Sequence, residues 1–490
     1  MMNNIGILNG LICFARIMDE SQVDTMLNYI RENWKNSVIP SLCDFIRIPA
    51  QSPSFDPDWE ETGELHQVID LFQSWLTNDI GIENMTTSVH QLPGRTPVLL
   101  VDVPGTGPGD VLFYSHLDKQ PPVTDLWSEG KHPFEPVFDG PYLFGRGSVD
   151  DGYGGYLCAL AVKTLHEHGL KYPRCRFLIE TCEESGSFDL PPYLDALSKQ
   201  IGKPDLVVVL DSGAGDYENI WITESLRGLV AGTLKVEVSS EGVHSGLAGG
   251  IIPETFRIAR NLISRVEDSA TGEILVPELH VEIDPSLRSR AERIVEVLGD
   301  SVWSEFPMLD GVEPQVTDPV EVVLNGNWRP ALAVIGANGF PSTADGGNVL
   351  RPFSEFSLSF RIPPGVDSET AVESIKSVLE ANPPHGSKVT FDPVVGADGF
   401  RAPPIHSSID SALNLAAQHL YGENWMPLFE GGTIPFLSMM QNRFPNASFL
   451  VTGSMGPDGN AHGPDEKLHV PASENLTLAI SLALNALTDG

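Results

Sequence analysis

The sequence predicts an α/β chain: a mostly parallel sheet with helices on both faces, interrupted by an inserted α+β domain. Two observations carry this. Short uninterrupted apolar runs (Val111-Leu112-Phe113-Tyr114, Phe177-Leu178-Ile179 and Leu206-Val207-Val208-Val209-Leu210) alternate with stretches of helical periodicity. That is the pattern of strands buried on both faces of a sheet. Beyond Leu226-Arg227-Gly228 it changes to residue-by-residue alternation, as in Phe356, Leu358, Phe360 and Ile362. A sheet with one packed face reads this way.

The elements follow in order. Val23, Met26, Leu27, Ile30, Trp34, Val38 and Leu42 recur at helical spacing, and Pro49 closes that segment. A second helix is expected over 61–76. Strands at 98–101 and 111–114 flank the Gly/Pro turn 104–109. The glycine-rich stretch 145–152 opens a helix reaching about His168. Strand 176–181, a helix near 190–200 and strand 206–210 come next. In the inserted part, 232–240 reads as a strand, 253–266 as an amphipathic helix, 367–381 as a helix and 388–396 as a strand. Helix 407–421, strand 447–452 and helix 471–488 resume the first domain. The division is therefore 18–228 with 398–490, and 229–397 inserted. Residues 1–17 have no basic start and no A-x-A cleavage site, and with Met18 as an alternative start they read as a disordered or mis-called extension.

Bulk properties narrow the function. A chain of 490 residues exceeds one ordinary core. No apolar run approaches the ~20 residues of a membrane span. The charge of −36, from 66 acidic against 30 basic residues, argues against nucleic acid and anionic membrane as partners, which need a basic footprint. Cys13, Cys43, Cys158, Cys175 and Cys182 are odd in number and form no CxxC pair, the usage of reduced thiols in a cytoplasmic protein. There is no GxGxxG fingerprint, Walker lysine or Gly-x-Ser-x-Gly elbow.

Five segments carry candidate metal ligands. His116 and Asp118 end a strand, two residues apart, and so point the same way on extended backbone. Asp150 precedes a helix N-terminus, which favours a carboxylate. Glu183-Glu184 and Asp211 each follow a β-run, and His462 lies in the loop Asp458-Gly459-Asn460-Ala461-His462-Gly463-Pro464. Each alone has a bland reading: a strand-end histidine, a helix cap, a solvated acidic turn. Together they gain weight, because parallel strands deliver their C-terminal ends to one edge of a sheet. Imidazole and carboxylate without thiolate suit zinc or a similar divalent ion. Two histidines and three carboxylates divide into two sites sharing one carboxylate, and a further carboxylate is left to act as base.

The series Ser115-His116-Leu117-Asp118, Gly145-Arg146-Gly147-Ser148-Val149-Asp150-Asp151-Gly152, Thr181-Cys182-Glu183-Glu184-Ser185-Gly186-Ser187, Leu210-Asp211-Ser212-Gly213, Val243-His244-Ser245-Gly246, Glu430-Gly431-Gly432-Thr433-Ile434-Pro435 and Asn460-Ala461-His462 resembles the M20 dinuclear zinc peptidases. It is most similar to the branch that includes cytosolic non-specific dipeptidase and carnosinase. The resemblance implies a phosphorylase/hydrolase-like catalytic domain and a ferredoxin-like lid that also forms a homodimer. It implies two zinc ions per subunit, with manganese or cobalt as substitutes. His116 and Asp211 would hold one ion, Glu184 and His462 the other, and Asp150 would bridge. Asp118 would orient His116, and Glu183 would be the base, with a pKa near working pH.

By the same resemblance, His244 would stabilise the oxyanion across the dimer. Asn348, also from the partner, would contact substrate, although Leu350-Arg351-Pro352 departs from the family's usual proline position. Arg361 would bind the substrate carboxylate, and Glu430, Gly432 and Thr433 its termini. The implied activity is hydrolysis of dipeptides or short peptides. Asp rather than Glu at 211 leans that way, since in the family Asp accompanies recognition of a free amino terminus. The alternatives are deacylation of N-acyl amino acids and a catalytically silent homologue, against which the retained Glu183 argues.

Overall fold

A computed structural model describes residues 20–488; the expected extension 1–17 lies outside the described residues. The chain divides into two compact units. The first comprises 20–223, 402–428 and 441–488, and the second 224–401 with 429–440. The segment 429–440 thus groups with the inserted part rather than with 398–490. The backbone N–H of Arg227 donates to the Glu430 carbonyl at 3.2 Å, and the Arg227 guanidinium donates to the Gly431 carbonyl at 3.1 Å.

The first unit is built on a six-stranded sheet in the order Thr86–His90, Val98–Val103, Arg174–Glu180, Asp110–His116, Leu206–Val209, Ser448–Val451. Strands Arg174–Glu180, Asp110–His116, Leu206–Val209 and Ser448–Val451 run parallel, while Val98–Val103 is antiparallel to both of its neighbours. Their uninterrupted apolar runs are buried, as a sheet covered on both faces requires. Helix Tyr153–Glu167 is apolar nearly all round and buried from Tyr153 to Val162, the pattern of a helix inside a core.

The stretch expected as one helix over 23–46 is two, Glu20–Asn33 and Ile39–Arg47, joined by a widened turn Trp34–Val38 in which the Ile39 N–H reaches the Trp34 carbonyl. Pro40 explains this, because it has no N–H to continue the ladder. The turn is pinned by the Trp34 indole, which donates to Thr477 Oγ1 at 3.0 Å.

The second unit is an antiparallel four-stranded sheet in the order Ala331–Asn338, Phe353–Ile362, Gly228–Glu237, Lys388–Ala397. Strands Gly228–Glu237 and Phe353–Ile362 alternate buried and half-exposed residues throughout. Helices Thr255–Ile263 and Ser368–Glu380 cover the packed face, with Ile258, Leu262, Ile375 and Leu379 meeting Val230, Leu234, Leu358 and Phe360. Helices Pro285–Leu298 and Pro319–Asn327 were not expected from periodicity. Both start with Asp followed by Pro, and Asp284 and Asp318 accept the N–H groups of Leu287 and Val320 at 2.9 Å. That cap-then-proline pair is a start signal in the sequence.

Among the described residues no helix is long and apolar enough to cross a membrane. Cys43, Cys158, Cys175 and Cys182 are free thiols.

Candidate metal centre

Three parallel strands bring their C-terminal ends together in the first unit. His116 closes Asp110–His116 opposite Glu180 of the neighbouring strand, and the Leu117 N–H continues the pairing onto the Glu180 carbonyl at 3.0 Å. Its ring is fully buried. Nδ1 lies 3.2 Å from the Asp118 carbonyl and 3.5 Å from Asp118 Oδ1. An Nδ1–H donated there leaves the Nε2 lone pair free. Nε2 has no hydrogen-bond partner; it faces Asp150 Oδ1 at 3.3 Å, Asp211 Oδ2 at 3.8 Å and Glu183 Oε2 at 3.9 Å.

Asp150 sits in the turn Ser148–Gly152 ahead of helix Tyr153–Glu167, with extended backbone at φ −128° and ψ 96°. Its two oxygens face opposite ways. Oδ1 meets His116, and Oδ2 meets His462 Nε2 at 2.9 Å. His462 Nε2 is also 3.4 Å from Glu184 Oε2.

Glu183 and Glu184 open a short turn after strand Arg174–Glu180, closed by Gly186 at φ +92°. Asp118 holds that turn: its carboxylate accepts the N–H of Glu183 at 3.2 Å and of Glu184 at 3.0 Å. The sequence reading gave Asp118 one duty, orienting His116. The grip on the acidic pair, 65 and 66 residues along the chain, leaves no trace in local sequence. Gln120 was also missed. Its amide donates to Glu184 Oε2, 64 residues along the chain, at 2.6 Å, a contact that local sequence does not mark.

The electrostatics follow from burial. Desolvation and then neighbouring carboxylates push Glu184 and Asp211 well above the usual carboxylate range. Glu183 rises to about 7, by burial first, with the His116 cation opposing and Asp150 and Asp118 adding. Asp150 goes the other way. Burial opposes its ionisation, yet the imidazoles of His116 and His462 beside it hold it below the usual range. For His116, burial is outweighed by Asp118 and Asp150, which raise the imidazole well above its ordinary value.

Four carboxylates crowding two imidazoles, one with an orphaned buried nitrogen, are uncompensated without a cation. The donor set, imidazole and carboxylate, suits a divalent ion of the zinc type. Ligand-type atoms of His116, Glu183 and Asp211 fall within 4.8 Å of one another, as do those of His116, Asp150 and Glu184. The residues fit a metal pair. Distance alone puts Glu183 among the ligands and gives His116 to both groups.

The remaining candidates lie in the second unit. His244 and Asn348 come together across a two-stranded ladder: His244 pairs with Val349, and the Ser245 N–H donates to the Asn348 carbonyl at 2.8 Å. Both side chains belong to exposed residues. Arg361, closing on the loop Glu430-Gly431-Gly432-Thr433, donates to Thr433 Oγ1 at 2.6 Å. Arg227 joins this loop, and burial together with the Arg361 charge lowers it to about 10.

Known proteins resemble this chain in sequence and fold. The chain is 26% identical over 379 residues to the cysteinylglycine-S-conjugate dipeptidase of Corynebacterium striatum, covering 75% of this chain and 79% of that protein. It is 25% identical over 475 residues to the Beta-Ala-His dipeptidase of Mus musculus, covering 91% and 92%. Among solved structures the fold matches the di-peptidase Dug1p of Saccharomyces cerevisiae with a TM-score of 0.73 at 22% identity, over 96% of this chain and 100% of that one. Residues 112–486 match peptidase family M20/M25/M40, to which this chain belongs.

Proposed function

We propose that the chain is a metal-dependent dipeptidase, hydrolysing the peptide bond of dipeptides or short peptides that carry a free C-terminal carboxylate. The observation that carries this is the orphaned His116 Nε2 inside a cluster of buried carboxylates, in a chain whose relatives are named dipeptidases. His116 and Asp211 would hold one ion, Glu184 and His462 the other, and Asp150, with one oxygen toward each histidine, would serve both. Zinc is the first choice; manganese and cobalt accept the same donors. When bound there, divalent ions would supply polarisation of the scissile carbonyl and a lowered pKa for the attacking water.

Glu183 is the base. It takes a proton from the attacking water as the C–O bond forms and returns it to the amine as the C–N bond breaks. Its burial and its raised pKa of about 7 make it able to accept and give up a proton near neutrality. That, and the resemblance, favour the base role over the ligand role that distance alone allows. Asp118 keeps it in place through the turn N–H groups. Arg361 binds the substrate carboxylate, and Glu430, Gly432 and Thr433 bind its termini.

The second unit is the ferredoxin-like lid, and it forms a homodimer that lends His244 and Asn348 to the partner's site. Its edge strand Ala331–Asn338 leaves Val334 and Ile335 at 51% and 66% exposure, and Leu247 and Ile251 stand at 77% and 78%. An open edge beside apolar surface calls for a partner. The free thiols support a reducing, cytoplasmic setting.

A hydrolysis panel tests substrate class. Free dipeptides and β-alanyl dipeptides are expected to be cleaved, tripeptides more slowly, and N-acetyl amino acids little. Preferential cleavage of the N-acetyl compounds would replace the dipeptidase reading with the deacylase one.

A further inference from the structure

His462 is an unusual place for a ligand. Its side chain is 59% exposed, and it sits at φ +64° in a loop where Asp458, Asn460 and Asp465 are also left-handed, at φ +57°, +53° and +58°. Asp, Asn and His are the non-glycine residues that enter this conformation most readily, and neighbouring contacts hold the loop in it. That hold comes from beneath. Arg146 and Glu466 form an ion pair at 2.7 Å whose members are 1% and 0% exposed. The Arg146 fork also donates to the His462 carbonyl at 3.2 Å and the Gly463 carbonyl at 2.8 Å. Glu466 accepts the Gly147 N–H at 3.0 Å and the Val149 N–H at 3.1 Å, and the Gly145 N–H reaches the Glu466 carbonyl at 3.0 Å.

The pair therefore grips two loops at once: the one ending in Asp150 and the one carrying His462. We infer that Arg146 and Glu466 are positioning residues that set the His462–Asp150 spacing, and with it the affinity of the metal position that His462 completes. This rests on the two-metal reading above. A buried ion pair is a poor source of stability, since well-packed apolar replacements are often neutral. Its value here is placement, and Arg alone has the planar fork that spans a carboxylate and two carbonyls.

The test is calorimetric titration of zinc into chelator-treated full-length protein. Arg146→Met with Glu466→Met is expected to keep one tight equivalent and to weaken the second by about 10–100-fold, the usual cost of losing a ligand's support, with unchanged circular dichroism. Arg146→Lys, which keeps the charge but not the fork, is expected to weaken the same equivalent; it decides the matter if the double variant does not fold. Two equivalents of wild-type affinity in a folded variant would overturn the inference. His462→Ala separates the two claims. If it leaves both equivalents intact, the assignment of His462 as a ligand is wrong. If it weakens the second equivalent and the Arg146 variants do not, only the positioning role fails.

Discussion

Glu183→Gln is expected to retain two metal equivalents and to lose about 10²–10⁴-fold in kcat, the usual worth of a positioned base. The variant keeps the size of the side chain and its place on the turn that Asp118 holds, so geometry and chemistry separate. The pH profile adds a second reading. Burial raises Glu183 to about 7 in the protein alone. A base works ionised, so activity falls as pH drops through this pKa. Bound dications favour the carboxylate, and the acid limb of kcat/KM is expected below pH 7 in the loaded enzyme. The limb should vanish in the residual activity of Glu183→Gln. Full turnover in that variant would remove Glu183 from the base role and return it to the ligand group that distance allows.

The second large effect belongs to His244. His244→Ala is expected to lower kcat by about 10²–10³-fold with little change in KM, because an oxyanion donor acts on the transition state. His244 Nδ1 is occupied by the Gly246 N–H at 3.1 Å, which leaves Nε2 as the donor. The proposed role across a dimer has a sharper consequence. A subunit bearing His244→Ala, mixed with one bearing Glu183→Gln, should regain activity. In such a heterodimer one site has both an intact Glu183 and a partner's intact histidine. Verified heterodimers without any regained activity would contradict the trans assignment.

Much of this centre was legible because its residues sit where apolar runs stop. His116, Glu183, Glu184 and Asp211 each end or follow a strand of the same parallel set, and run boundaries are readable without knowing any contact. Asp150 and His462 were placed by motif, and the structure brings them within 2.9 Å. What stayed hidden was the support. The hold of Asp118 on the acidic turn, Gln120 on Glu184 and Arg146 with Glu466 under His462 are contacts between residues 64 to 320 positions apart, and no local pattern encodes them.

The fold divided similarly. The central strands of the first sheet and the alternating strands Gly228–Glu237 and Phe353–Ile362 announced themselves by period, whereas the largely buried strands Trp221–Leu226 and Met426–Glu430 were not expected. The edge strand Ala331–Asn338, mostly outside the core, has no alternation to read. The break at Pro40 was written in the sequence but outweighed by the apolar spacing on either side.

The most direct measurement strips the purified chain with a chelator, verifies metal loss by elemental analysis, and follows cleavage of a free dipeptide as zinc, manganese or cobalt is returned. The account predicts negligible hydrolysis in the stripped protein and recovery that saturates at two metal equivalents per chain. Undiminished hydrolysis by protein shown to contain no metal would contradict it.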